Sequence, residues 1–105
     1  DLDVADECMG LAQATQEETI IAYLRQTLKE HLNLACKAIE RFRGHPVSNQ
    51  YSLRIARYAL FLDNKRKAKR YFDDFVQSKI SIYHYANWLQ QYYQDLRKTF
   101  EAEKD

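Results

Sequence analysis

Histidines, cysteines and a run of bases are the residues of this chain whose types invite a chemical reading. The histidines are His31, His45 and His84. None stands in a Glu-x-x-His or His-Glu-x-x-His spacing, so the di-iron and zinc-hydrolase patterns are missing. Cys36 and His31 come nearest to a nucleophile and its base. Five residues apart on one predicted helix, they point about 140° away from each other and cannot touch. With two glycines in the chain there is no glycine-rich loop to cradle a phosphate. The sequence therefore points away from catalysis, and it asks for no cofactor and no metal.

Cys8 and Cys36 allow two readings. They make one bridge between the first and second predicted helices if the protein is exported, or two small apolar side chains in a reducing compartment. Two cysteines do not make a structural zinc site.

Lys65-Arg66-Lys67-Ala68-Lys69-Arg70 is the sharpest local feature. Five positive charges in six residues suit nucleic-acid phosphates, and Arg54 and Arg57 share one sector of the preceding helix. Against this, Asp73 and Asp74 follow Lys69 and Arg70 at i,i+4 and can hold part of the run as a solvated face. Charge is unevenly spread along the chain. Residues 1–18 hold six acids and no base, residues 19–72 hold twelve bases and three acids, and residues 73–105 hold six acids and four bases. The acidic segment either neutralises the basic middle or leaves it facing an anionic partner.

Aromatic residues make up 13% of the chain, and most fall on helical stripes where the core needs them. Tyr83 and Trp88 do not: they fall off or at the edge of the last stripe. Together with Tyr92 they are the candidate protein-binding surface.

The elements that must position these groups are helices. A length of 105 residues with two glycines and one proline fits one domain and excludes a turn-rich β-sandwich or a disordered tail. Such a chain buries roughly 60–70% of its unfolded surface, enough for a core without metals or bridges. No apolar stretch reaches the ~18 residues of a membrane span. Periodicity and caps place helices at about 3–14, 16–43, 49–62, 65–77 and 81–101, with a frayed charged tail at about 102–105.

Val4, Cys8 and Leu11 form the first apolar stripe. The second runs through Ile21, Leu24, Leu28, Leu32, Ala35, Ile39 and Phe42, with Arg25, Lys29, Lys37, Arg41 and Arg43 on the solvent side. Thr15 and Glu18 read as a capping box, Gly44 and Pro46 as a stop, and Ser48 and Ser81 as N-caps. The third helix is apolar nearly all round, which places it at the centre. Two faces that cannot be buried by one straight helix require a break at Leu62-Asp63-Asn64.

The expectation is an all-α, single-domain antiparallel bundle of four to five helices spanning residues 1–105. Its reading is a non-enzymatic interaction module, an adaptor, assembly or small-subunit domain that binds a protein partner or its own copy through Tyr83, Trp88 and Tyr92. The alternative is a nucleic-acid-binding module using Arg54, Arg57, Lys65, Arg66, Lys67, Lys69 and Arg70. A third reading is a secreted factor with a Cys8–Cys36 bridge. A cytoplasmic or nuclear setting is favoured over secretion.

Overall fold

The computed structural model describes residues 2–42 and 47–103. Among them are five α-helices, one 3-10 turn and no strand, an all-α bundle. The helices are α1 (Leu2–Ala14), α2 (Glu18–Glu40), α3 (Val47–Phe61), α4 (Lys65–Gln77) and α5 (Asn87–Ala102). Three-residue connections fold α1 back on α2 and α3 back on α4. No helix among the described residues is long and apolar enough to cross a membrane.

The central place of α3 follows from its composition. Leu53, Ile55, Ala56, Tyr58 and Ala59 are buried on successive sides of the axis, so it meets α1, α2, α4 and α5. Each fully buried leucine or isoleucine is worth about 1.5–3 kcal/mol relative to exposure. In α1 the buried stripe is Leu2, Ala5, Cys8, Met9 and Ala12. Leu11 is exposed and Val4 half-buried, so the expected Val4–Cys8–Leu11 stripe is rotated.

The break after α3 lies where the capping residues put it. Asp63 adopts a left-handed backbone (φ 62°), and the Asn64 side-chain oxygen accepts the Lys67 backbone N–H at 3.2 Å. Asn64→Ala is expected to lower stability by about 1 kcal/mol in urea unfolding, with an unchanged slope.

Four boundaries differ from the sequence reading. The capping box at Thr15 does not form. Its hydroxyl accepts from Glu17 N–H in a local turn, and α2 starts at Glu18 with no side-chain cap. α2 ends at Glu40 instead of 43, with Phe42 in the following turn; the stop assigned to Gly44 and Pro46 lies outside the described residues. Ser48 sits inside the first turn of α3 and is buried. The largest difference is at the last helix. Ser81 caps only the 3-10 turn Ile82–His84, accepting the Tyr83 N–H. Tyr85 and Ala86 are then extended, and α5 begins at Asn87. Tyr85 packs its ring on Phe75 of α4 at 5.9 Å, a tertiary contact in place of a turn of the last helix. At the far end α5 closes at Ala102, and the frayed tail assigned to 102–105 lies partly outside the described residues.

Candidate functional site

The acidic start of the chain folds onto the basic middle. Arg54, only 8% exposed, donates to the Leu2 carbonyl at 3.1 Å, to Asp3 at 3.2 Å and to the Tyr58 hydroxyl at 3.3 Å. Its guanidinium lies 5.2 Å from the centre of the Trp88 ring. Tyr58 donates to Asp6 at 2.8 Å, and the Tyr92 hydroxyl donates to the same carboxylate oxygen. Arg57 pairs with Asp95 at 3.1 Å and lies over Tyr92.

Burial, then the bond to Asp6, pushes the Tyr58 phenol well above its ordinary value, against the opposing pull of Arg54. Tyr92 rises for the same two reasons. Burial pulls the other way on Arg54, yet its bonds to Tyr58 and Asp3 raise it overall. Phenols held protonated beside a fixed cation are not proton shuttles at neutral pH. The cluster ties α1 and α5 to α3, with Arg54 and Arg57, the arginines assigned to a nucleic-acid surface, paired to Asp3 and Asp95. A sequence cannot show that Asp3, Asp6 and Asp95 converge on them.

The basic run is likewise divided. Lys65 pairs with Glu103 at 2.8 Å, Lys69 with Asp73 at 3.3 Å and Arg70 with Glu40 at 3.2 Å. Lys67 reaches the Asn33 amide oxygen at 3.4 Å, and Arg66 is exposed. The five cations project around the α4 axis toward α2 on one side and α5 on the other. With Arg54 and Arg57 on the α1–α5 side, the run does not continue into them.

The aromatic candidates also separate. Trp88, 43% exposed, stands edge-on to Tyr92 at 5.4 Å and is engaged with Arg54. Tyr83, 80% exposed, belongs to the 3-10 turn that precedes α5. The ring contact between Trp88 and Tyr92 does not include it.

Both cysteine thiols are free. Cys8 is buried in the α1 stripe, and burial followed by the nearby Glu7 charge raises its thiol pKa, leaving a poor nucleophile. Cys36 faces the Tyr71 hydroxyl of α4, away from α1, so no Cys8–Cys36 bridge forms. Among the described residues no three His, Cys, Asp or Glu side chains come together as metal ligands.

What the fold does leave open is an apolar groove. Among the described residues the last turns of α2 face the start of α1 and the start of α3. Together they enclose about 790 Å3, lined mainly by apolar side chains. Leu34, Ala38 and Phe42 rise at four-residue steps along one wall, and Tyr51 and Ile55 at the same step along the other. Leu34 is 59% and Phe42 58% exposed. Ridges at i,i+4 are what a further helix packs into. Lys37 and Arg41, three and seven residues after Leu34, are exposed along the flank of that ridge. Phe42 was expected in the core stripe and Leu34 was not singled out.

Comparison with protein-family models, with curated proteins and with solved structures gave no match.

Proposed function

We propose that this protein is a non-enzymatic helical interaction module that seats an amphipathic helix of a protein partner in the α1–α2–α3 groove. The observation that carries this reading is the pair Leu34 and Phe42, large apolar side chains more than half exposed on the rim of a groove. Contiguous exposed apolar surface costs solubility, and clusters of it mark binding faces. The partner helix spans about three turns, with apolar anchors at i, i+4 and i+7 facing the groove. Lys37 and Arg41 select acidic residues on its flank. The face is therefore different from the Tyr83, Trp88 and Tyr92 surface expected from the sequence, while the class of function is the same.

Two synthetic helical peptides of identical apolar face, one flanked by glutamates and one by lysines, test the reading by titration under NMR. The glutamate peptide is expected to shift the resonances of Leu34, Phe42 and Tyr51, and Phe42→Asp to weaken it by about tenfold or more. Phe42 is exposed, so the variant should keep its melting temperature. Equal binding of both peptides, or binding by neither, would overturn the proposal. So would a dimer in sedimentation that Phe42→Asp dissociates, because the groove would then belong to a second copy.

A further inference from the structure

A second cleft, of about 610 Å3, lies between the first half of α2 and the turn joining α3 to α4. It has the opposite character to the apolar groove. Arg25, Lys29 and Lys67 line it over an apolar floor that includes Ile21 and Leu62, and Glu18 is the acid of the lining.

The three cations are held differently. Arg25 donates to the Phe61 carbonyl at 3.0 Å and to Asp63 at 3.1 Å, with its guanidinium 5.3 Å from the Phe61 ring centre. It is a fixed cation, its charge shared with an exposed carboxylate. Among the described residues Lys67 has the neutral Asn33 amide as acceptor, at 3.4 Å, and pairs with no carboxylate. Lys29 pairs with no carboxylate among the described residues. Two uncompensated ammonium groups therefore face one cleft beside a pre-oriented guanidinium. Asn64, which also lines the cleft, places the positive end of the α4 dipole at the same edge.

We propose that this cleft binds a single phosphomonoester dianion, with Lys29 and Lys67 as its charge partners, Arg25 as a fixed donor and the organic part of the ligand resting on Ile21 and Leu62. A polyanion is disfavoured by the neighbouring ion pairs. Lys65, Lys69 and Arg70 are held by Glu103, Asp73 and Glu40. A nucleic-acid strand tracking α4 would have to displace these carboxylates one after another, whereas one phosphoryl group meets only the cations that lack them. A dianion also matches two ammonium groups in charge.

The test is a calorimetric titration of the full chain with four probes. These are inorganic phosphate, a phosphoserine peptide, a ribonucleoside monophosphate and a mixed-sequence oligonucleotide. At least one monophosphate is expected to bind one-to-one. Its affinity should fall with salt along a slope of about one or two, the mark of few neutralised charges. Lys29→Gln with Lys67→Gln is expected to weaken it by about tenfold or more, while Lys65→Gln with Lys69→Gln leaves it unchanged. All four lysines lie at the surface or its margin, so melting temperatures should match the parent. Preference for the peptide would identify a phosphorylated side chain as the source, and preference for the nucleotide a small metabolite-sized ligand. Failure of every monophosphate to bind at millimolar concentration would overturn the proposal. Binding of the oligonucleotide alone, with a steep salt slope that depends on Lys65 and Lys69, would overturn it too and restore the nucleic-acid reading. None of these outcomes depends on the apolar groove.

Discussion

Tyr58→Ala is expected to destabilise the fold by about 3–5 kcal/mol, the range for truncating a large buried aromatic side chain. Tyr58 has no exposed surface, and its ring stands edge-on to Tyr92 at 6.0 Å. Its hydroxyl joins Asp6 of α1 to Arg54 of α3, so the truncation opens a cavity and also removes a partner from each charged group. Tyr58→Phe separates the two effects. It keeps the ring and is expected to cost about 1–2 kcal/mol, the worth of bonds between a hydroxyl and charged groups. Urea unfolding followed by the fluorescence of Trp88, the single tryptophan, measures both. Equal losses from the two variants would show that the hydroxyl network, and not the packing, holds α1 to the bundle. A loss below about 1 kcal/mol from Tyr58→Ala would contradict the central place given to α3.

Alkaline pH is expected to unfold this protein earlier than its composition suggests. Burial raises the phenols of Tyr58, Tyr92 and Tyr71 above their ordinary value, with hydrogen bonds to Asp6 for the first two and to Cys36 for the third adding to it. A folded-state pKa above the unfolded one means that the folded chain holds the proton more tightly. The stabilisation is complete below the unfolded value of about 10 and is lost as pH rises from there toward the folded values. Each such tyrosine contributes a slope of up to about 1.4 kcal/mol per pH unit, so three reach about 4. Urea midpoints between pH 8 and about 11.5, read beside tyrosinate absorbance, check this. The midpoint should hold steady to about pH 10 and then drop, and the buried phenols should ionise only as the chain unfolds. Tyr58→Phe with Tyr92→Phe is expected to flatten the drop. An unchanged drop in that double variant would assign it to other groups.

Most of the architecture could be read from local pattern. The apolar stripe of α2, the all-round apolar surface of α3 and the Asp63–Asn64 break are consequences of side chains within one or two turns of each other. Gly10, inside α1, sits where nothing lies within 4 Å of a Cβ, so it costs the helix only propensity. The start of α5 was misplaced because Ser81 carries a genuine cap signal that serves a 3-10 turn. A cap residue specifies a local turn, and whether α-helix follows depends on what the next residues touch. Here Tyr85, four residues after Ser81, lies against Phe75.

The sequence by itself determined the helical class, the central place of α3 and the site of the α3–α4 break, because these follow from periodicity and capping within a single element. Tertiary structure alone decided what the charges and aromatics are for. Arg54 and Arg57, read as a phosphate-binding pair, are consumed by Asp3 and Asp95. Trp88 and Tyr92, read as an exposed patch with Tyr83, lie against Arg54 and Arg57. Phe42, read as core, stands more than half exposed on the rim of a groove. Periodicity reports which side of a helix is apolar. The partner of a charge, and whether an apolar side chain finds cover, depend on elements dozens of residues away.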